Sequence, residues 1–246
     1  MRWRFLKLDW SYAIGELLIV TIGVLIALAL NQWVTAKQVE AEEIRLLQAV
    51  RDEFQGNIVR LDRQLAYRKA VTESVNRLFA MSSEPTLQKG ESIDPLLGDL
   101  VWWYEAEFAT GAVENILLGG KLALIKNPEI RTLLAGWRDQ VNAIKRVELQ
   151  DYETFKNILM PYLYKNANVP QISNTLSTLP GTQTALSPWS FPPGIQRDHS
   201  VLLRDPEFLG IMVHKSWDQS DVIYRFTELR QVMTGFVDLL DRELRR

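Results

Sequence analysis

AIGELLIVTIGVLIALAL, from Ala13 to Leu30, carries one charge, Glu16, and is flanked by Trp10, Tyr12 and Trp33. At about 1.5 Å of rise per residue, a helix from Trp10 to Trp33 is roughly 34 Å long, enough to cross a hydrocarbon core with aromatic side chains at both interfaces. Two other readings compete. Ala27 and Ala29 after the basic Arg2, Arg4 and Lys7 outline a cleavable signal peptide, but Glu16 interrupts its apolar region and no helix breaker follows Ala29. A buried core helix would need covering on every side, and this run already has the length of a span. The sequence therefore predicts residues 1–12 as a cytoplasmic tail, 13–33 as a transmembrane helix and 34–246 as an extracytoplasmic domain.

Orientation follows from basic residues. Arg2, Arg4 and Lys7 precede the segment, whereas only Lys37 and Arg45 follow it closely. This predicts a single-pass signal-anchor in a bacterial inner membrane with its N-terminus in the cytoplasm. The absence of cysteine agrees with an oxidising compartment without requiring one. A net charge of −2 over 246 residues predicts no nucleic-acid surface, and eight tryptophans with 47% hydrophobic residues suffice for a packed core.

Downstream, three Asx-Pro steps read as helix starts: Asp94-Pro95, Asn127-Pro128 and Asp205-Pro206, the last two followed by Glu129 and Glu207. Asp or Asn accepts from the free terminal amides, Pro at the first helical position loses no needed donor, and Glu meets the positive end of the dipole. From Asn127, Ile130, Leu133, Leu134, Trp137, Val141, Ile144, Phe155, Ile158 and Tyr162 keep helical spacing, predicting one helix of nearly forty residues. A second runs from Asp205 to near the C-terminus. The first extramembrane stripe, Leu47, Val50, Phe54, Ile58, Leu61, Leu65, Val75 and Leu78, meets no proline before Glu84, so the span is expected to continue unbroken into the bundle. DPLLGDLVWWYEAEF and TGAVENILLGG read as shorter helical pieces, the second ended by Gly119 and Gly120.

The resulting fold class is all-α: an N-terminal transmembrane helix continuing into an elongated, mostly antiparallel helical bundle. A proline-rich loop at about 167–204 is the exception to helix, and within it Trp189 and Phe191, beside Pro192 and Pro193, are the side chains placed to dock, on a partner or on their own bundle.

YAIGELLIVTIGVLIALALNQW (Tyr12 to Trp33), GGKLALIKNPEIRTLL (Gly119 to Leu134) and LLRDPEFLGI (Leu202 to Ile211) resemble a bacterial family of uncharacterised single-pass membrane proteins, a domain of unknown function. The resemblance covers most of the chain in order. Ala29 and Leu30 depart from it, standing where Gln and Ile are expected. It implies the topology above and supplies no activity.

Catalytic patterns are nearly absent. His199 and His214 are fifteen apart with no H-E-x-x-H, so no metal or other cofactor is called for. Gly120-Lys121 is followed by Leu122 where a phosphate loop needs Ser or Thr, and Asn115 stands where that loop needs its first glycine. No enzyme is expected.

Three features carry a functional reading. Glu16, Gly23, Ala27 and Asn31 share one face of the span and offer a stripe for helix association, unless Glu16 merely snorkels to the interface. The last helix loses its apolar stripe between Met212 and Val222, where Lys215 and Asp218 or Gln219 take the inward positions beside His214 and Trp217. That break is either a pocket between helices or a stretch where the helix leaves the bundle and Lys215 pairs with Asp218 at the surface. Trp102, Trp103, Tyr104 and Phe108 are expected on a short helix, with one Trp buried and the other at a groove or interface.

The expected function is a membrane-anchored helical interaction or sensor-like module, partnered by the lipid bilayer and by a second copy or another membrane protein. An envelope scaffold is the alternative. An enzyme using carboxylates buried in the bundle is a third reading.

Overall fold

The computed structural model describes residues 10–84, 92–175 and 196–245, with side chains from residue 14 onward. Among them there is no strand. Helix α1 (Trp10–Ser83) is one continuous rod of 74 residues, about 110 Å long at 1.5 Å per residue. Its apolar N-terminal part is long enough to cross a membrane, and none of it is buried. Ile19 is 73% and Leu25 59% exposed. Packing begins at Glu43 and Leu46.

The chain then returns beside α1. Helices α2 (Asp94–Gly98) and α3 (Gly111–Leu118) are joined by a non-helical segment, 101–110. A single-turn 3₁₀ helix at Lys121–Leu124 leads to α4 (Pro128–Thr154), which passes through a π turn at Phe155–Leu159 into α5 (Met160–Asn166). After the short α6 (Val169–Ser173) and a 3₁₀ turn at His199–Arg204, α7 (Pro206–Glu243) runs back along α1 and α4. Arg51 pairs with Asp241 and Arg230 with Asp62, so α1 and α7 are antiparallel. The three long helices and the broken descending element form an elongated bundle, as the stripes predict.

Two caps read from sequence form as expected. The Asn127 carboxamide accepts from the amides of Glu129 and Ile130, and the Asp205 carboxylate accepts from Glu207. Gly120 follows α3 at φ 66°, a left-handed turn that glycine enters without a Cβ penalty.

Four local expectations need correction. Asp94 is no cap: it lies inside α2, and its carboxylate turns instead to His199 and Gln171. The run after Gly98 is not helical, so Trp102, Trp103, Tyr104 and Phe108 share no helix face. From Trp102 to Ala112 it descends alongside α1 from Tyr67 to Glu53, about 21 Å, which ten helical residues would not cover. Its aromatic run also suits extended backbone. The proline-rich stretch holds helical turns at both ends, α6 and His199–Arg204. Finally, Ile158 is 42% exposed while its neighbour Leu159 is fully buried. The π turn just before Pro161, which lacks an amide donor, shifts the helical register by one residue.

Candidate functional site

Each long helix breaks its apolar stripe with buried charged side chains at one shared level. Below them lies one core cluster, from Leu46 to Leu65 on α1, Ile130 to Ile144 on α4 and Val222 to Leu240 on α7. Above them lies a second, formed by Tyr67 to Met81, Leu159 to Leu163 and Phe208 to Met212 with their neighbours. Between the two sit Arg68 of α1, Glu148 and Asp151 of α4, and Lys215, Asp218 and Gln219 of α7, all buried.

Asp151 is the hub. Its Oδ2 accepts from the Arg68 guanidinium and from Trp103 Nε1 at 3.0 Å. Its Oδ1 accepts from Lys215 Nζ and from Gln219 Nε2 at 2.8 Å. Arg68 also donates to the Tyr104 carbonyl at 3.0 Å and lies 5.9 Å from the Trp103 ring. Gln150 reaches Asp218 at 3.2 Å. Arg68, Asp151 and Lys215 are tolerated so far from water because each meets an opposite charge within hydrogen-bond reach, whereas Asp218 Oδ2 is buried with no hydrogen bond among the described residues.

Burial pushes the Asp151 carboxyl up, but the neighbouring Lys215 and Arg68 charges outweigh it and hold the group below its ordinary range. Burial lowers Lys215, against the pull of Asp151. Glu148 has only shared partners. Its Oε1 accepts from the Ala106 amide at 2.9 Å and from Arg68 at 3.4 Å, while Oε2 is buried without a partner among the described residues. Burial raises it to about 7, opposed by the Ala106 amide and Arg68. Protonating Glu148 removes one negative charge from the buried layer.

The descending segment is fastened by this layer and by α1. Tyr67 donates to the Trp102 carbonyl at 2.7 Å and Gln64 to the Glu105 carbonyl at 3.1 Å. The Asn57 carboxamide closes a two-way pair with Ala109, donating to its carbonyl and accepting from its amide, both at 2.8 Å. Side chains thus satisfy backbone groups that a helix or sheet would otherwise pair.

The sequence-predicted residues separate into three groups. Lys215 and Asp218 turn inward, Lys215 pairing with Asp151; the surface Lys215–Asp218 pair does not form. Trp103 joins them through its indole donor, while Trp102 lies over Tyr104, ring centroids 6.3 Å apart. His214 and Trp217 face outward, Trp217 at 68% exposure, although His214 Nδ1 comes within 3.5 Å of Asp218. Glu16, Gly23, Ala27 and Asn31 lie along the unpacked helix. Trp189 and Phe191 lie outside the described residues.

His199 forms a second buried cluster. Its Nδ1 lies 2.6 Å from Asp94 Oδ1, and its Nε2 accepts from the Asn168 amide at 2.9 Å. Both ring nitrogens are engaged, so the pair ties α2 to α6 and the turn before α7, with no nitrogen left for base catalysis.

Sequence reasoning missed Arg68, Glu148 and Asp151. The signal was present: on α1 Arg68 takes the stripe position between Leu65 and Val71, and on α4 Glu148 and Asp151 take those between Ile144 and Phe155. No curated protein and no solved structure matches the chain. Residues 16–131, which contain the apolar helix, Arg68 and the descending segment but not Asp151 or Lys215, match the model of a family of unknown function (DUF6090).

Proposed function

We propose that the chain is a single-pass, membrane-anchored helical interaction module of sensor-like build. The apolar part of α1 crosses a bacterial inner membrane with its N-terminus in the cytoplasm, and the bundle stands on the far side. The observation that carries this reading is the continuity of α1, one helix whose unpacked apolar end passes directly into both cores. The excess of basic residues before the span supports the orientation. Glu16, Gly23, Ala27 and Asn31 give a second copy or a membrane partner a face on which to pack. The reading assigns no catalysis to Asp151, whose two oxygens are committed to cations and amide or indole donors.

The test joins topology to association. A periplasm-dependent reporter fused after Arg246 is expected to be active, and activity of a cytoplasm-dependent reporter would reverse the orientation. Mass measurement in mild detergent is expected to give an oligomer or a complex that Gly23→Leu weakens. A monomer without co-purifying protein would remove the association reading.

A further inference from the structure

From Trp102 to Ala109 the descending segment makes no backbone–backbone hydrogen bond among the described residues; side chains hold it instead. Tyr67, Arg68, Gln64 and Asn57 bond to the backbone of Trp102, Tyr104, Glu105 and Ala109, and all of them stand on α1. On the α4 side, Glu148 is the one side chain among the described residues that bonds to this backbone, accepting from the Ala106 amide at 2.9 Å. The Trp103 indole adds a side-chain tie to Asp151. The segment is thus fastened along its length to one helix and by a single carboxyl to the other. Beside that carboxyl, a groove of about 660 Å³, lined by Ala106, Val141 and Lys145 among others, already parts the segment from α4 and opens to solvent.

Glu148 is poorly placed to stay ionised. Arg68 is the cation that both α4 carboxyls face, and it bonds to Asp151 while standing 3.4 Å from Glu148. Where two carboxyls share one cation, the more distant one is left to keep a proton. The descending segment brings Glu105 near, which repels a charge on Glu148. From α7, Lys215 is bonded to Asp151, and the other buried charge, Asp218, is negative. Lys145, one turn back on α4, is exposed and lines the groove. Glu148 Oε2 has no partner among the described residues, so nothing inside compensates a second carboxylate charge. Burial accordingly outweighs the Ala106 amide and Arg68 and pushes the carboxyl up to about 7.

We propose that Glu148 is a proton-sensitive latch on the seam between the descending segment and α4. While it holds its proton, the carboxyl stays dry and keeps Ala106 against α4. Once it releases the proton to solvent, water stabilises the carboxylate and the seam opens at the groove, with the bonds to α1 intact. The device belongs to the bundle alone and does not depend on the orientation or association of the span.

The test is hydrogen exchange of the full chain in mild detergent, read on peptides covering 103–109 and corrected for the intrinsic effect of pH. Opening of 103–109 is expected to rise about tenfold from pH 6 to pH 8, as for a carboxyl that titrates near 7 when closed and near 4.5 when open. Glu148→Gln keeps an acceptor for the Ala106 amide and does not ionise, so its opening should stay constant within about twofold. At both pH values 103–109 should open at least about a hundredfold more often than 226–240 of α7. An equal rise in Glu148→Gln, or none in the unaltered chain, would overturn the proposal. So would equal protection of 103–109 and 226–240, which would mean that the bundle opens only as a whole.

Discussion

The Asp151 carboxylate of α4 and the Lys215 ammonium of α7 meet in the interior between two apolar clusters, with Arg68 of α1 on the second carboxylate oxygen. The anion is shared by two cations, so the partners are not equivalent. Asp151→Leu strands both Arg68 and Lys215 and is expected to cost about 3–5 kcal/mol. Lys215→Met leaves Asp151 with Arg68, Trp103 and Gln219 and removes a desolvated ammonium; it should cost less than about half as much. Denaturant unfolding of both variants in the same detergent checks the order, and equal losses would contradict the hub role of Asp151.

Glu148 makes stability depend on pH. Its folded value of about 7 lies above its ordinary value of 4.5, chiefly through burial. The native chain keeps a proton that the unfolded chain releases, so this contribution is complete below about 4.5, is lost as pH rises through 7, and is level above. Asp151 acts in the opposite sense at lower pH, since its folded value is depressed and its contribution disappears as acid protonates it. Glu148→Gln should flatten the decline between pH 5 and 8, on the order of 2 kcal/mol. Unfolding midpoints across that range are the measurement, and an unchanged slope would place the titrating group elsewhere.

Asn57 is fully buried and pairs both ways with the backbone of Ala109. Asn57→Leu leaves a carbonyl and an amide without partners, for an expected loss of about 2–4 kcal/mol. Hydrogen exchange should show the effect concentrated in 105–112, with the amides of α4 and α7 much less affected.

Helix caps offer a graded comparison. Asn127→Ala and Asp205→Ala each remove acceptors from a helix N-terminus and should cost about 1 kcal/mol. Asp205 also accepts from the Tyr162 hydroxyl at 2.5 Å, and Asn127 donates to Glu243 at 2.8 Å. Tyr162→Phe tests the first of these extra bonds: combined with Asp205→Ala it should add little, because both changes remove the same contact.

The helical stripes, the unbroken first helix and two of three caps were legible because they rest on local rules of spacing and capping. Three things were not. The extended path of Trp102 to Phe108 depends on side chains from Asn57, Gln64, Tyr67 and Arg68 that are remote in sequence. The π turn before Pro161 altered which of Ile158 and Leu159 faces the core, a shift invisible to a fixed 3.6-residue period. The polar layer was glimpsed on α7 alone. A lapse in one stripe is equally an exposed stretch of helix, and only the matching lapses on α1 and α4 make it a buried plane.

The continuity of α1 gives that plane a fixed angular relation to the other end of the rod. A helix turns 100° and rises 1.5 Å with each residue, and α1 has no proline or break between Arg68 and Glu16. If α1 re-seats by one residue against Asp151, the face bearing Glu16, Gly23, Ala27 and Asn31 swings through more than a quarter turn. The azimuth of that face is therefore set by which residue of α1 meets a carboxylate about 55 to 80 Å away along the same helix.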